Sequence, residues 1–327
     1  MFAYIIRRIL GMIPTLFLVS VITFIIILLP PGDYFTTLQA EVAESGGGPN
    51  ADTVKLLQER YGLDRPPVVQ YLYWVSGFPK GDFGWSFEWN SPVLPLVLSR
   101  MGYTMLLGFF SLLFMVIIAI PIGIYSATHQ YSAGDHMLSG LGFLGLSIPS
   151  FLLALVWMFF GIVVLRTSVG GVLSPEMADA PLSLQKGWDY FNHLWPPAII
   201  LALAGTAQIQ RIMRGNLLEE LDQPYITTAR AKGLKKKTVT NKYGVRVAIN
   251  PVISVVALEI PKIISASAII GIVMSLPTTG PMFLRSLQSQ DMYLAGTFLL
   301  FTSLLLLISN LIADILLAWA DPRISYS

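Results

Sequence analysis

The sequence lacks cysteine and is poor in charge and in histidine. Without cysteine, the chain of 327 residues has no disulfide, no thiolate nucleophile and no cysteine-ligated metal site. The three histidines, His129, His136 and His193, are too scattered to indicate a metal site. Only 12% of the residues are charged, whereas a soluble domain carries about 25%. This deficit indicates that much of the surface faces lipid.

Hydrophobic residues make up 54% of the chain and are concentrated in long runs. A membrane-spanning helix needs roughly 20 mostly apolar residues. Several runs contain proline, which membrane helices tolerate because neighbouring helices satisfy the freed backbone groups. We therefore predict an all-α, polytopic membrane fold with six spans. They cover Ile9–Leu29, Thr104–Thr128, Met137–Leu165, Trp195–Met213, Pro251–Ser275 and Tyr293–Trp319.

The first apolar run has two readings, because Arg7 and Arg8 precede it as they would precede the apolar part of a signal peptide. The run is longer than is usual for a signal peptide, and no small-x-small cleavage site precedes Pro30. These features favour an uncleaved first helix.

The distribution of lysine and arginine predicts the orientation in the membrane. Residues 211–250 contain nine basic and three acidic residues, whereas residues 30–100 contain five basic and eight acidic residues. Basic residues collect on the cytoplasmic side. With six spans, both termini and a loop at 214–250 then lie in the cytoplasm. Residues 1–29 form the N-terminus and first helix, residues 30–103 an extracytoplasmic segment, and residues 104–327 the core domain.

The extracytoplasmic segment is predicted to be partly folded. Ala51–Tyr61 has the pattern of a short helix, with Asn50 or Asp52 as its cap and Gly62 as its stop. Eight aromatic residues follow between Tyr71 and Trp89. They fit either an interfacial aromatic belt or a surface that docks a partner outside the membrane.

The cytoplasmic loop has more internal order than a topology signal requires. Asp222 is placed to cap a helix with Pro224 in its first turn, and Gly233 is placed to end it in a left-handed conformation. One face of this helix would carry Tyr225, Thr228, Ala229 and Lys232. A loop that only contacts anionic lipid needs basic charges, each worth about 1 kcal/mol near the surface, and no capped helix. This internal organisation of the loop therefore indicates a protein partner that binds it.

Residues 225–234, Tyr-Ile-Thr-Thr-Ala-Arg-Ala-Lys-Gly-Leu, resemble the EAA loop of ABC importer permeases, in their dipeptide and oligopeptide branch. The general pattern places Glu-Ala-Ala four residues before glycine, and here those positions hold Thr227, Thr228 and Ala229 before Gly233. The departure at Thr227 is usual for this branch, whose more specific mark is Ala-Arg-Ala-Lys-Gly. Further matches run along the chain, at residues 4–10, 13–15, 31–33, 61–66, 81–84 and 248–251.

The resemblance implies a type I importer permease fold with six transmembrane helices in the bacterial inner membrane. Two homologous permeases would form a heterodimeric pore, two cytoplasmic ATPase subunits would bind ATP and magnesium, and an extracytoplasmic binding protein would deliver the solute. This chain would carry no catalytic residue, cofactor or nucleic-acid site. Its ATPase-coupling loop would comprise Tyr225, Thr227, Thr228, Ala229, Arg230, Ala231, Lys232, Gly233 and Leu234.

Peptide or oligopeptide is the expected cargo, although one stretch departs from the branch. Residues 271–280 keep the proline and glycine of the family's turn, at Pro277 and Gly280, but lack the acidic and aromatic positions common in peptide permeases. An oligosaccharide, an opine or another non-peptide solute is therefore the alternative.

Two charges, Glu259 and Lys262, lie in the middle of the predicted fifth span. Charges at this depth are costly in lipid and face the bundle interior. Their spacing allows them to pair on one helix face. They fit a structural ion pair, a contact to the partner permease or a polar site in the pore.

Two other classes of protein are less consistent with the sequence. A membrane-embedded enzyme needs a nucleophile with a base, paired aspartates or a metal cluster, and no such constellation is visible. An ATP-independent secondary transporter often has more spans or inverted repeats, and no convincing repeat is visible. The chain also has no Gly-x-x-x-x-Gly-Lys-Ser/Thr phosphate loop, so ATP-driven transport would require a separate ATPase.

Overall fold

The computed structural model describes residues 2–29, 31–32, 34–37, 56, 58–59, 62–165, 170–177, 179–181 and 183–320. The helices in these ranges are α1 (Phe2–Leu28), α2 (Pro67–Gly77), α3 (Val93–Thr128), α4 (Ala133–Ser147), α5 (Ser150–Phe160), α6 (Leu184–Leu221), α7 (Pro224–Ala231), α8 (Lys236–Thr238), α9 (Arg246–Val273), α10 (Thr279–Gln288) and α11 (Met292–Ala320). Strands β1 (Trp85–Ser86) and β2 (Ser91–Pro92) form an antiparallel hairpin. The predicted helix Ala51–Tyr61 falls largely outside the described residues.

The chain divides into two compact units. The first unit comprises residues 1–103 and 277–308, and the second comprises residues 104–276 and 309–327. Two of the three boundaries fall inside α3 and α11, and the third lies between α9 and α10.

Apolar helices of membrane-spanning length dominate the described residues. Four are long and apolar enough to cross a membrane, namely Ile5–Leu28, Val93–Thr128, Lys236–Val273 and Met292–Leu317. The pair α4 and α5 meets the same test with a bend of 101° between its halves. The predicted span Met137–Leu165 therefore coincides with a bent helix pair, which is either a broken span or a re-entrant loop. Ile148 is extended because Pro149, which follows it, disfavours the helical conformation.

The helices that contain the predicted second and fourth spans, α3 and α6, are longer than those spans. α3 begins at Val93 rather than Thr104, and Val93 and Val97 are fully buried in the first unit. The predicted fourth span lies within α6, which is not among the helices that pass this test for a membrane span; polar residues such as Thr206 and Gln210 interrupt its apolar sequence. Both are only 4% exposed. A helix enclosed by neighbouring helices needs no continuous apolar surface.

The core of the second unit lies between α3, α6 and α9. Met115, Ile209 and Met213 are fully buried there. Gly123 allows α3 to approach α6 closely, because a Cβ at this position would lie 2.9 Å from the carbonyl oxygen of Gln210. Small residues at such contacts are how membrane helices pack in the absence of a hydrophobic driving force.

In the first unit, a buried carboxylate joins the hairpin to α11. Asp291 is fully buried and accepts hydrogen bonds from the Ser86 hydroxyl at 2.6 Å and from the Glu88 amide at 3.2 Å. It also accepts one from the Leu294 amide in the first turn of α11, at 3.3 Å. An exposed ion pair at 2.8 Å between Arg285 and Glu88 adds a second link.

Candidate functional site

The candidate site is the loop that connects α6 to α8, with α7 at its centre. Pro224 occupies the first turn of α7, where an N–H group would have no partner within the helix. The residue before the helix is Gln223, in an extended conformation, and it makes no side-chain cap. Asp222 instead follows the last residue of α6 as its C-cap, so the prediction of Asp222 as the N-cap was wrong.

One face of α7 packs against the protein. Ile226 is fully buried and Ala229 is 5% exposed, and both contact Val239. Ala229 therefore points inward, although the sequence placed it on a face with Tyr225 and Lys232. The other eight residues of the predicted ATPase-coupling loop are exposed, namely Tyr225, Thr227, Thr228, Arg230, Ala231, Lys232, Gly233 and Leu234.

Gly233 ends α7 in the left-handed conformation that the sequence predicts. Its φ is +77°, and its amide donates to the carbonyl oxygen of Arg230 at 2.9 Å. A Cβ at this position would meet no atom within 4 Å. Glycine is therefore required here by the backbone conformation, which is unfavourable for other residues, and not by lack of space.

A hydrogen bond fixes the first turn of α7 to the end of α6. The hydroxyl of Tyr225 donates to the carboxylate of Glu220. Partial burial, together with this carboxylate, raises the pKa of Tyr225 to about 12. The phenol therefore keeps its proton at physiological pH, and the hydrogen bond does not depend on pH in that range.

Two long helices hold α7 between them. α6 has 38 residues, and so does the continuous helical stretch Lys236–Val273. At 1.5 Å per residue, each is about 57 Å long, whereas the hydrocarbon core of a bilayer is about 30 Å thick. Leu217 of α6 and Val252 of α9 belong to the same buried cluster. α7 thus lies near the end of a packed helical pair that is longer than the membrane is thick.

An ion pair that the sequence analysis missed joins α4 to α6. Arg214 Nη2 lies 3.0 Å from Asp135 Oδ2, and the Asp135 side chain is 4% exposed. Ser132 caps α4 by accepting from the amide of Asp135 at 3.1 Å. The Ser-x-x-Asp spacing is a helix-start signal that was available in the sequence. The partner, Arg214, is too distant along the chain for spacing to indicate it.

The charges of the predicted fifth span form an ion pair within α9. Lys262 Nζ donates to Glu259 Oε1 at 2.6 Å, and the side chains are 61% and 7% exposed, respectively. A Cβ at Gly205 of α6 would lie 3.2 Å from Glu259 Oε2. Glycine at this position therefore leaves room for the carboxylate between α9 and α6, while the ammonium group lies at the surface of this chain.

Removing Lys262 alone is expected to destabilise the chain more than removing both charges. Lys262→Met leaves the carboxylate buried without its partner, a change that typically costs about 3–5 kcal/mol. The double variant Glu259→Gln/Lys262→Met leaves no charge in this position. Thermal unfolding of the purified permease in lipid nanodiscs measures the difference. A larger loss in the double variant would contradict this account of the pair.

Comparison with known proteins identifies related sequences over the whole chain. Residues 119–326 match the family described as binding-protein-dependent transport system inner membrane component, and residues 1–108 match its N-terminal family. The oligopeptide transport system permease protein AppB of Bacillus subtilis (strain 168) is 37% identical over the full length of both chains. The glutathione transport system permease protein GsiC of Escherichia coli (strain K12) is 30% identical, again over both full lengths.

A solved structure supports the fold. A chain of the MetNI methionine ABC transporter, in an inward-facing conformation, has a TM-score of 0.53 and 19% sequence identity to this chain. The match covers 70% of this chain and 98% of the other. At this level of identity the likeness concerns the fold alone.

Proposed function

We propose, from the premise that this chain belongs to the family of inner-membrane components of binding-protein-dependent transport systems, that α7 couples it to an ATPase. The chain is a multi-pass permease subunit of an ABC importer. This membership overturns the alternative of an ATP-independent secondary transporter. The observation that carries the coupling role is the position of α7, a short helix with an exposed polar face at the junction of two long, packed helices.

The coupling follows from the rigidity of this arrangement. An ATPase subunit that binds the exposed face of α7 moves α6 and α9 with it, because the buried face of α7 and the Tyr225–Glu220 hydrogen bond fix it to the protein. In this proposal Glu259, which lies between α6 and α9, has a structural role and does not bind the solute. A permease of this kind has two conformations, and ATP shifts their populations by its different affinity for the two states of the complex.

The complex that we propose contains a second, homologous permease subunit as the other half of the pore. Two cytoplasmic ATPase subunits bind ATP and magnesium, and an extracytoplasmic binding protein presents the solute. This chain itself holds no cofactor. Both of its termini and α7 lie in the cytoplasm, in accord with the basic residues of the 211–250 region.

A peptide is the cargo that we propose. It is supported by the oligopeptide permease AppB and by a putative peptide permease of Brucella ovis, which is 31% identical over 99% of both chains. A non-peptide solute is the second candidate, because residues 271–280 lack the acidic and aromatic positions common in peptide permeases. Competition for uptake by unlabelled di- and oligopeptides and by oligosaccharides distinguishes the two.

Cross-linking tests the coupling role directly. The natural chain has no cysteine, so single-cysteine variants need no other change. Thr227→Cys, on the exposed face of α7, is expected to form a thiol-to-amine cross-link with an ATPase subunit in the assembled complex. The matched control is Ile226→Cys, its buried neighbour, which is expected to give little product. Equal yields at the two positions, or no product with an ATPase subunit, would refute the proposed contact.

A further inference from the structure

α2 exposes an apolar face in the first unit. Its eleven residues include no charged side chain. Gln70 and Trp74 are buried, whereas Val68, Leu72 and Tyr73 are 69%, 60% and 68% exposed. In water this surface would be unfavourable, since burying such side chains yields about 1.5–3 kcal/mol each. Tyrosine and tryptophan, of which α2 has three, are enriched at the boundary between lipid headgroups and acyl chains.

Contacts with α1 place α2 at that boundary. Phe24 of α1 lies against Tyr71 and Trp74, with ring centroids 5.4 and 6.0 Å apart, respectively. The hydroxyl groups of Tyr71 and Ser20 are hydrogen-bonded at 2.8 Å. The apolar stretch Ile5–Leu28 is about 36 Å long, slightly more than the hydrocarbon core, and Phe24 lies about 6 Å before its end. Phe24 is therefore within the hydrocarbon region, near its edge.

The apolar face of α2 lies beside exposed apolar side chains of α1, a helix of membrane-spanning length. Ile25 and Ile26, beside Phe24 on α1, are 54% and 50% exposed. A water-soluble partner cannot cover side chains at this depth without entering the bilayer. Lipid is therefore the occupant that fits both helices.

A cavity of about 510 Å³ opens beside α2 in the same unit. Its walls include side chains from α2, from β1 and from the start of α11. The aromatic residues that line it are Tyr73, Trp74, Trp85 and Tyr293. Tryptophan and tyrosine are enriched at the level of the headgroups, where an amphipathic ring contacts both apolar and polar groups.

The charges of the cavity favour an anion. Arg65 and Lys80, which flank the two ends of α2, both line it and both are exposed. Neither forms an ion pair within the described part of the chain. Asp82 is the one carboxylate in the lining, and its Oδ1 already accepts the amide of Gly84 at 2.9 Å. The lining thus has a net positive charge at neutral pH.

We propose that this cavity binds the phosphate of a phospholipid headgroup in the outer leaflet. Arg65 and Lys80 donate charge-assisted hydrogen bonds to the phosphate oxygens. The aromatic walls surround the rest of the headgroup, and the acyl chains run along Val68 and Leu72. The choice of leaflet rests on the proposed orientation of the chain. The phosphate site itself depends neither on that orientation nor on the coupling role of α7.

Spin labelling tests the depth of α2. A label at Leu72→Cys, in the permease reconstituted into bilayers, is expected to be more accessible to dissolved oxygen than to a water-soluble nickel chelate. A label at Lys235→Cys, in the exposed basic loop, is the aqueous control and is expected to show the reverse. Preferential access of the nickel chelate to Leu72→Cys would overturn the proposal.

Native mass spectrometry of the full importer complex, titrated with phosphatidylglycerol, tests the headgroup site. Arg65→Ala and Lys80→Ala are each expected to weaken lipid retention about fivefold. The control Arg7→Ala removes an exposed cation of the same unit that lies near the start of α1 and outside the cavity, and it is expected to leave retention unchanged. Undiminished retention in the two cavity variants would overturn the proposal.

Two further outcomes would show that the cavity binds something other than a phospholipid. If inorganic phosphate alone displaces the bound lipid, the cavity is a site for free anions and the lipid assignment fails. If the two cavity variants keep their lipid but lose affinity for the purified binding protein, the surface docks that protein and the proposal fails. Neither readout uses uptake or ATP hydrolysis, so a failure here is distinct from a failure of the proposed coupling.

Discussion

Gly233→Pro is expected to abolish ATP-driven uptake while leaving the chain inserted in the membrane. Proline fixes φ near −65°, whereas Gly233 has φ +77°. Proline also lacks the N–H group that donates to Arg230. The turn after α7 must therefore rearrange. Uptake in proteoliposomes that contain the ATPase and binding protein, measured together with ATP hydrolysis, reports the loss of coupling.

A graded series makes this prediction specific to the backbone conformation. Gly233→Ala introduces no steric contact and carries only the cost of a left-handed residue, about 1–2 kcal/mol. Asparagine tolerates this conformation better than alanine does. Coupled uptake should therefore decrease in the order glycine, asparagine, alanine, proline. Normal uptake in all three variants would show that the left-handed turn is not needed for coupling.

Ala229→Glu is not an equivalent test of coupling, although Ala229 belongs to the predicted coupling loop. Ala229 is buried against Val239, so a glutamate there would place an unpaired charge inside the loop. Loss of uptake would then follow from local unfolding, whether or not an ATPase subunit contacts α7.

The form of the loop around α7 was predictable because it depends on local rules. Pro224 near the start of α7 and Gly233 at its end follow from backbone preferences that need no tertiary information. The choice of N-cap was not predictable in the same way. It depends on where α6 ends, and α6 continues to Leu221, so Asp222 belongs to the preceding helix.

The sequence could not distinguish Pro149, which lies where a helix is broken, from the prolines that lie inside continuous helices. Pro14, Pro121 and Pro261 lie inside continuous helices, whereas Pro149 follows the bend between α4 and α5. All four interrupt apolar sequence. Whether the helix continues depends on how neighbouring groups satisfy the freed backbone carbonyls, which is a property of the packed structure.

Charge pairs were predictable only within a single helix. Glu259 and Lys262 are three residues apart, so helical geometry alone places them on one face. Asp135 and Arg214 are separated by 79 residues, and Glu88 and Arg285 by 197. These pairs depend on the packing of segments that are distant in sequence, and residue spacing carries no information about that packing.

Asp291→Ala is expected to release the β1–β2 hairpin and destabilise the first unit. The carboxylate is fully buried, and its removal leaves the Ser86 hydroxyl and the Glu88 and Leu294 amides without their acceptor. Leaving a buried donor unsatisfied costs about 1–3 kcal/mol, so the expected loss is on the order of 3–5 kcal/mol. Thermal unfolding measures this loss, and limited proteolysis should cut first near residues 84–92.

Asp82→Ala is the matched control, because its exposed carboxylate accepts a single backbone hydrogen bond, from Gly84. This variant is expected to unfold close to the wild-type temperature. An equal shift in Asp291→Ala and Asp82→Ala would contradict the role of the buried carboxylate in holding the hairpin.

The pH dependence of Asp291→Asn separates the charge of this carboxylate from its shape. Burial raises the pKa of Asp291 above its ordinary value of 3.8, even though its hydrogen bonds act in the opposite direction. The native state therefore binds this proton more tightly than the unfolded state does, and the contribution to stability is lost as pH rises through the native pKa. Because asparagine does not titrate, the wild type should gain stability relative to Asp291→Asn as pH falls from neutral towards 3.8. A loss over this range would mean that the hydrogen bonds outweigh burial and that the carboxylate is held in its charged form.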